Sequence, residues 1–584
     1  MSWRSRIQRP GRGFAVAAAA LIAGAVFGVG NSPSAAAQIV NQPYVVFIEE
    51  PRVLQTASLT DPGPDGLTRL AEIFQAYGAA TGFLPLDTPI PPEADLIVLA
   101  RPRGALPAHF LARLYAAMDS GANLMLALDP AVHQGARPDG AASGLNALLN
   151  ADYGVSLVDV FLVEPYFTAR TVTELRRSYS LAVPGDVPNP VIDPLQRYDI
   201  PVQLWGARAL DAAGYTFLSR SFPLAQAEPA YGERDPNFFL TPTPQTNPTP
   251  TPLPEGARTP VPPGYQIDLD RIGVLSVGVM GENLNTGSRV IVFADGEMLQ
   301  NGFGLGVSAV NGLPLNVGNR ILVERAAGWL LDLDSSEYLP LPDGFTLLAV
   351  DGDGGDWADD VAAVDDPPGD TGILGLDILQ VRAFRNRYYL HIRIDTAAPA
   401  SRFSEIAMRF DADQDGEIET TVTVSPAQVI ANQDGVIGRV EDAAAAFGTI
   451  IEIRLPLRVT GAVESMPNLC LLETGDVALP QPPDCADVPI PVSFRPLNEL
   501  APLRLPADML ARAATEQGVN VRAGAFATAA VLLAASDRDV FSVTGRSADF
   551  QWLEVENAAV RGWVNVQAVF ANGDIDALPV VDVE

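Results

Sequence analysis

Cysteine and histidine are scarce in this chain of 584 residues, which holds two of the first and three of the second. One chain with only Cys470 and Cys485 has no cysteine-based zinc site. His109, His133 and His391 are spaced too widely for a metal-ligand pattern. Basic residues are short as well: 38 Lys plus Arg stand against 70 Asp plus Glu, a net charge of −32. A surface that acidic repels nucleic-acid phosphates and anionic lipid headgroups, and it suits divalent cations. Nucleophile signatures are missing too, with no G-x-S-x-G elbow and no H-E-x-x-H. Gly302-Phe303-Gly304-Leu305-Gly306 lacks the glycine spacing of a dinucleotide loop. Asp129 and His133 are available to a Ser/His/Asp set, but the sequence places no serine beside them. The expectation is a protein that is not an enzyme, with no catalytic residues.

What is present reads as several domains, and the length allows for about two to four. Asp95 to Pro130 is the most legible stretch. Leu96 to Ala100 is a continuous apolar run of strand length, and Pro107 suits a first helical position. Phe110, Leu111, Leu114, Tyr115 and Met118 then form one broad apolar helical face. Gly121 ends that helix, and Leu124 to Leu128 follows as a second buried strand. Strand, crossover helix and strand make a βαβ unit of a parallel sheet. Tyr44 to Ile48 reads as the first strand, Leu67 to Tyr77 as an amphipathic helix, Leu145 to Leu149 as a short helix and Val155 to Val163 as another strand.

At the front, Arg4, Arg6, Arg9 and Arg12 precede an apolar stretch from Phe14 to Val29, and Ala35-Ala36-Ala37 precedes Gln38. This predicts a signal peptide over 1–37, with an uncleaved membrane anchor as the alternative. No other segment reaches transmembrane length. Thr241 to Gly264 is so rich in proline that it reads as an extended, solvated spacer. From about Leu339 the texture changes to short alternating strands. Leu390, Ile392 and Ile394 mark a buried face, against Tyr389, His391 and Arg393 on a wet one.

Three resemblances follow from particular segments. IPPEADLIVLARPRGALP, MDSGANLMLALDP and LNALLNADYGVSLVDVFLVEP, with SRVIVFADGEMLQN and NRILVERAAGWLLD further on, resemble the auxiliary domain of ABC-type transport systems of the gliding-motility kind. That implies a flavodoxin-like or amidotransferase-like parallel α/β domain over 38–335, exported and tied to a transporter. Asp351-Gly352-Asp353 with Asp356-Trp357, then Leu376-Asp377-Ile378, is similar to the family-9-like carbohydrate-binding modules, which implies a β-sandwich over 339–495. Asn520-Val521-Arg522-Ala523-Gly524, Trp552-Leu553-Glu554-Val555 and Gly562-Trp563-Val564 resemble a bacterial SH3-like domain, which implies a small β-barrel over 500–584. Trp552 and Trp563 then serve either as core residues or as a ligand groove.

Two local features carry chemistry of their own. In Asp411-Ala412-Asp413-Gln414-Asp415-Gly416-Glu417-Ile418-Glu419, carboxylates at positions 1, 3 and 5 with Gly at 6 suit a calcium loop. Glu417 then offers its carbonyl and Glu419 its side chain, but Val422 stands where a helical calcium hand has its bidentate Glu. Structural calcium and a solvated acidic turn both remain open. A second acidic run, Asp351 to Asp370, has no ligand spacing and reads as a solvated loop. Cys470 and Cys485, in an exported chain, predict a disulfide, with free thiols as the alternative. The functional expectation is an exported binding or scaffold protein of the cell envelope, attached to cell wall, polysaccharide or an envelope protein. The alternatives are an accessory subunit of an ABC-type exporter and a cryptic hydrolase with targeting modules. A membrane enters only through an uncleaved N-terminus or a transporter partner.

Overall fold

A computed structural model describes residues 42–584 except 51–55, 131–141, 164–179, 186–188, 190, 217, 234–270, 332–347, 372, 402, 414, 434, 467–468, 474–482, 487–488, 496–508, 514–517, 536–539, 558–559, 572–574, 576–577 and 582–584. The signal-peptide segment, the proline-rich spacer and His133 therefore lie outside the described residues. Among the described residues, no helix is long and apolar enough to cross a membrane.

The apolar run Leu96–Ala100 is a strand buried at every position, because helices and loops cover both of its faces. It is β3 in a series that starts with β1 (Tyr44–Ile48), α1 (Thr68–Ala76) and β2 (Ala80–Leu84). After it come α2 (Ala108–Asp119), β4 (Asn123–Ala127), α3 (Ala142–Tyr153) and β5 (Val155–Val163). The chain continues through β6 (Ser180–Pro184), α4 (Asp193–Tyr198), β7 (Val202–Leu204), β8 (Arg208–Ala212), β9 (Gly214–Tyr215) and β10 (Ser219–Glu233). It ends this region with β11 (Arg271–Asn283), β12 (Arg289–Phe293) and α5 (Val317–Leu330). One sheet takes all twelve strands in the order β2-β1-β3-β4-β12-β11-β8-β5-β10-β6-β7, with β9 beside β10.

Only the half from β2 to β12 is parallel. From β11 onward the pairings are antiparallel, which corrects the expectation of a parallel sheet throughout. The reason is the long β10–β11 hairpin, whose arms pair from Ser219↔Asn283 to Gly232↔Arg271 while 234–270, with the proline-rich stretch, separates them in sequence. The predicted short helix at Leu145 to Leu149 is a twelve-residue one.

Beyond α5, two sheets enclose one apolar core. Ile378–Arg385, Tyr389–Thr396 and Ile450–Pro456 lie in the first, and Ser404–Phe410, Thr420–Val424, Val429–Gln433 and Leu469–Glu473 in the second. Leu390, Ile392 and Ile394 point into this core and are fully buried. The opposite face departs from expectation, since Tyr389 and His391 are buried too. His391 stacks on Phe384 with ring centroids 4.7 Å apart, and burial, with Arg454 nearby, pushes its pKa down to about 3.

That face is dry because the first sheet unit covers it. The Tyr388 hydroxyl donates to the Glu324 carboxylate of α5, which also receives Arg320 at 2.7 Å and Arg387 at 3.3 Å. Arg454 donates to the carbonyls of Tyr198 and Asp199 at the end of α4, and the Tyr389 ring lies 5.0 Å from its guanidinium carbon. A cation at a helix C-terminus meets the negative end of the helix dipole.

The last sheet has seven strands between Met509 and Ala571, around a core that includes Val521, Phe541, Leu553, Val555 and Val564.

Cys470 and Cys485 face each other on neighbouring antiparallel strands and are joined by a disulfide. Closing a loop of 15 residues restricts the unfolded chain by about 3 kcal/mol. Replacing both cysteines with serine is expected to lower the unfolding free energy of this region by roughly that amount, read by denaturant titration of the intact chain.

Candidate functional site

The order β2-β1-β3-β4 reverses direction between β1 and β3, so the carboxyl ends of those two strands flank a topological switch point. Open α/β sheets bind ligands in the crevice at such a point. Here the charged residues gather at the same strand ends. Arg101 follows β3, Asp129 lies two residues beyond β4, and Asp295 and Glu297 follow β12. All four side chains are buried.

Arg101 turns back over the strand ends with a backbone φ of +55°, a left-handed conformation uncommon outside glycine. Its Nε donates to Asp129 Oδ2 at 2.8 Å, its Nη2 to Glu297 Oε1 at 2.6 Å and its Nη1 to Gln300 Oε1 at 3.1 Å. Asp129 Oδ1 accepts from the Gly296 amide at 2.6 Å, and Asp295 accepts from the amides of Trp205 at 2.6 Å and Glu297 at 2.8 Å. Gly296 has to be glycine: a Cβ there would sit 2.6 Å from Asp129 Oδ1 and 2.7 Å from Arg101 Cγ.

Asp129, Asp295 and Glu297 bring oxygens within 4.8 Å of one another. Burial pushes the Asp295 carboxyl well above the usual carboxylate range, and the charges of Glu297 and Asp129 push it further. Glu297 is raised to about 7 by burial and Asp129, with Arg101 opposing. Both shifts favour a protonated carboxyl within the group, and the Arg101 guanidinium pairs with two of its members, Asp129 and Glu297. It contains no hydroxyl or thiol nucleophile.

Described segments of the chain lie over these strand ends. Ala57 donates its amide to the Ala100 carbonyl at the end of β3 (3.3 Å), and Glu49, just past β1, accepts from Ser58 Oγ at 3.0 Å and from the Leu59 amide. Asp61 to Gly66 then crosses the cluster. Asn301 Nδ2 donates to the carbonyls of Asp61 (3.1 Å) and Gly63 (3.0 Å), and Gln300 Nε2 to that of Asp65 (3.0 Å).

The acidic loop in the second unit is a hairpin turn between Ser404–Phe410 and Thr420–Val424. The side-chain oxygens of Asp411, Asp413, Asp415 and Glu419 lie within 4.8 Å of one another. The Glu417 side chain is outside that group and exposed, in keeping with a residue offering only its carbonyl. Asp411 accepts from the amides of Asp415 (3.1 Å) and Gly416 (2.9 Å), Asp415 from Glu417 (2.9 Å), and Glu419 Oε2 from Ala412 (2.8 Å). Gly416 has φ +100°, which explains the glycine at position six.

The second acidic run is partly anchored to the sandwich. Trp357 Nε1 donates to Glu452 Oε1 at 2.7 Å, and the amides of Asp351 (3.0 Å) and Gly352 (2.8 Å) donate to Glu452 Oε2. Asp366 and Asp370 meet Asp484, a neighbour of the disulfide that sequence spacing gave no reason to include.

Trp552 and Trp563 are buried, and the exposed apolar side chains of that unit include Phe526, Val531 and Leu532. Nothing in sequence spacing unites Arg101, Asp129, Asp295 and Glu297. The readable signal was position: each lies within four residues after an apolar strand of the parallel half.

No family model and no curated protein matches the chain. Among solved structures it is similar to the mmIFT52 N-terminal domain, at 11% identity and TM-score 0.32, covering 50% of this chain and 98% of that one. It is also similar to exo-beta-1,4-mannosidase Op5Man5 from Opitutaceae bacterium strain TAV5, at 11% identity and TM-score 0.22, covering 44% and 32%. A third likeness is to cytoplasmic protein STM1381 from Salmonella typhimurium LT2, at 15% identity and TM-score 0.24, covering 43% and 87%. At such TM-scores none of the three carries a functional assignment.

Because Glu297 titrates near 7 when folded and near its ordinary value of 4.5 when unfolded, the native state holds an extra proton between those values. Its contribution therefore favours folding at acidic pH and is lost as pH rises through that window. Glu297→Gln is expected to match the unaltered protein at pH 5 and to melt higher at pH 8.5 by ~4 °C, the scale of about 2 kcal/mol in a domain of this size. Thermal melts at the two pH values test it.

Proposed function

We propose that the chain is an exported, non-enzymatic binding or scaffold protein of the cell envelope. Residues 38–335 serve as a flavodoxin-like or amidotransferase-like docking unit. Residues 339–495, as a carbohydrate-binding-like sandwich, and 500–584, as an SH3-like barrel, attach it to cell wall or polysaccharide. The observation that carries the non-catalytic reading is the covered cluster: Arg101, Asp129 and Glu297 lie under the chain's own Asp61 to Gly66 segment. Ligand chemistry at a strand-end crevice needs open space between the loops. An anionic chain also suits a polymer rich in hydroxyl groups or bridged by divalent cations better than a phosphate backbone. Purified cell-wall sacculi and soluble polysaccharides are expected to retain the mature protein and to lose it on deletion of 500–584. Retention by the truncated chain removes the barrel from this role, and turnover of any substrate by the intact protein removes the non-enzymatic reading.

Calcium in the Asp411–Glu419 turn is part of the same proposal. Four carboxylates crowd one another there, and an oxygen-loving divalent ion relieves their repulsion and orders the turn. With a Kd of about 1 mM, as in extracellular modules, ~10 mM calcium stabilises the fold by about 1.4 kcal/mol. The melting temperature is expected to rise in calcium relative to chelator, and Asp411→Asn with Asp415→Asn to abolish the difference.

A further inference from the structure

We propose that the edge strand Val436–Arg439 of the sandwich is a docking site for an extended segment of a basic partner polypeptide, which adds to the sheet through its backbone.

Val436–Arg439 ends the six-stranded sheet and pairs on one side with Val429–Gln433, from Gln433↔Val436 to Ile430↔Arg439. Among the described residues no strand pairs with its other side. The Val440 amide donates to the Val429 carbonyl at 2.9 Å, so the hydrogen-bonded pairs fall at 436, 438 and 440. In an antiparallel ladder the residues between such pairs turn their amides and carbonyls the other way. Ile437 and Arg439 therefore aim their N–H and C=O groups at the open edge. The far edge of the same sheet is managed differently. Asp484–Ala486 is tied to its neighbour by the disulfide, and Asp484 accepts the Ile378 amide of the first sheet at 2.6 Å. Natural sheets blunt their edges with charge, proline or a covering segment. Val436–Arg439 contains no proline, and its one charged side chain is drawn aside by Glu441 at 3.4 Å.

The side chains suit an added strand. Val436 shares the inward face with Ala431 and Val440, which are 6% and 5% exposed, yet it is itself 74% exposed. Ile437, on the outward face, is 71% exposed, and a Cβ on Gly438 would meet nothing within 4 Å. A segment laid beside this edge covers apolar surface on both faces of the sheet, and its backbone meets the outward groups of Ile437 and Arg439.

Charge selects the partner. The Asp411–Glu419 turn, with five carboxylates, leaves the same end of the sheet, since Thr420 pairs with Gln433. Its nearer strand, Thr420–Val424, lies two positions from Val436–Arg439, ~10 Å away. A bound divalent ion leaves that turn negative. Against it stand Arg439, already paired with Glu441, and Arg409, three strands from the edge. A basic segment is therefore attracted, whereas a second copy of this chain, at −32, is repelled. A strand of four residues also buries far too little for a stable dimer, which needs about 1,200 Å² or more.

Fluorescence anisotropy of a labelled heptapeptide of alternating lysine and valine, titrated with the full-length protein, tests the site. This peptide is expected to bind, and its counterpart of alternating glutamate and valine to stay free. Ile437→Pro removes an outward N–H that the pairing with Val429–Gln433 does not use. It is expected to weaken binding about tenfold, the scale of one lost hydrogen bond. Should that variant not fold, Val436→Thr with Ile437→Thr keeps strand propensity, strips the apolar contact and is expected to weaken binding as well. No binding of the lysine peptide overturns the proposal, and so does equal affinity for the glutamate peptide. Undiminished binding by a folded variant also overturns it, since that leaves only diffuse attraction to an acidic chain. Dimerisation of the unaltered protein in sedimentation, abolished by Ile437→Pro, overturns it in favour of a second copy.

Discussion

The first half of the chain depends on a guanidinium buried among three carboxylates. Arg101 reaches Asp129, Glu297 and Gln300 from a left-handed turn at the end of β3. It thereby ties together the ends of three parallel strands that come from distant parts of the sequence. Removing Arg101 would leave Asp129 and Glu297 buried without that counter-charge, a strongly destabilising kind of single change. The same set explains why loops close over the switch point. The turn after β12 gives these charges the Gly296 amide and the Gln300 side chain, and Gln300 and Asn301 in turn donate to the carbonyls of Asp61, Gly63 and Asp65.

A second constraint joins the sheet unit to the sandwich. Glu324 and Arg454 lie at this boundary, buried and charged, one receiving Tyr388, Arg320 and Arg387, the other capping the carbonyls of α4. Because Arg454 donates across the boundary and Glu324 draws Tyr388 and Arg387 from beyond it, the two units hold each other in place. His391 shows the effect: on an isolated sandwich it would face water, whereas here it is neutral and stacked against Phe384. On that face of the sandwich, Tyr389, His391 and Arg454 are therefore packed against the neighbouring unit.

Local chemistry was legible wherever one segment met its own needs. Leu96 to Ala100 reads as a buried strand because an apolar run of only five residues, ended by Arg101-Pro102, has strand rather than helix length. Phe110, Leu114 and Met118 read as the inner face of a helix, and they are buried. The turn at Asp411 to Glu419 was legible because its clustered carboxylates and its glycine lie within nine residues. The cysteines could be paired because there are only two. Less was legible in the antiparallel half of the large sheet, where the arms of the β10–β11 hairpin are separated by a proline-rich stretch that masks their partnership. Trp552 and Trp563 illustrate a different limit: an aromatic on a short strand looks the same in sequence whether it lines a groove or fills a core.

The sequence by itself determined the apolar strands and helices, the acidic character, the calcium-like turn and the available cysteine pair, because each rests on neighbours along the chain or on composition. Only the tertiary structure decided that Arg101, Asp129, Asp295 and Glu297 meet, that Asp61 to Gly66 closes over them, and that the wet-looking face of Tyr389–Thr396 is dry. These outcomes depend on which strand ends lie side by side. That in turn is set by long-range pairings such as β4 with β12, whose contacts leave no periodic trace in either segment.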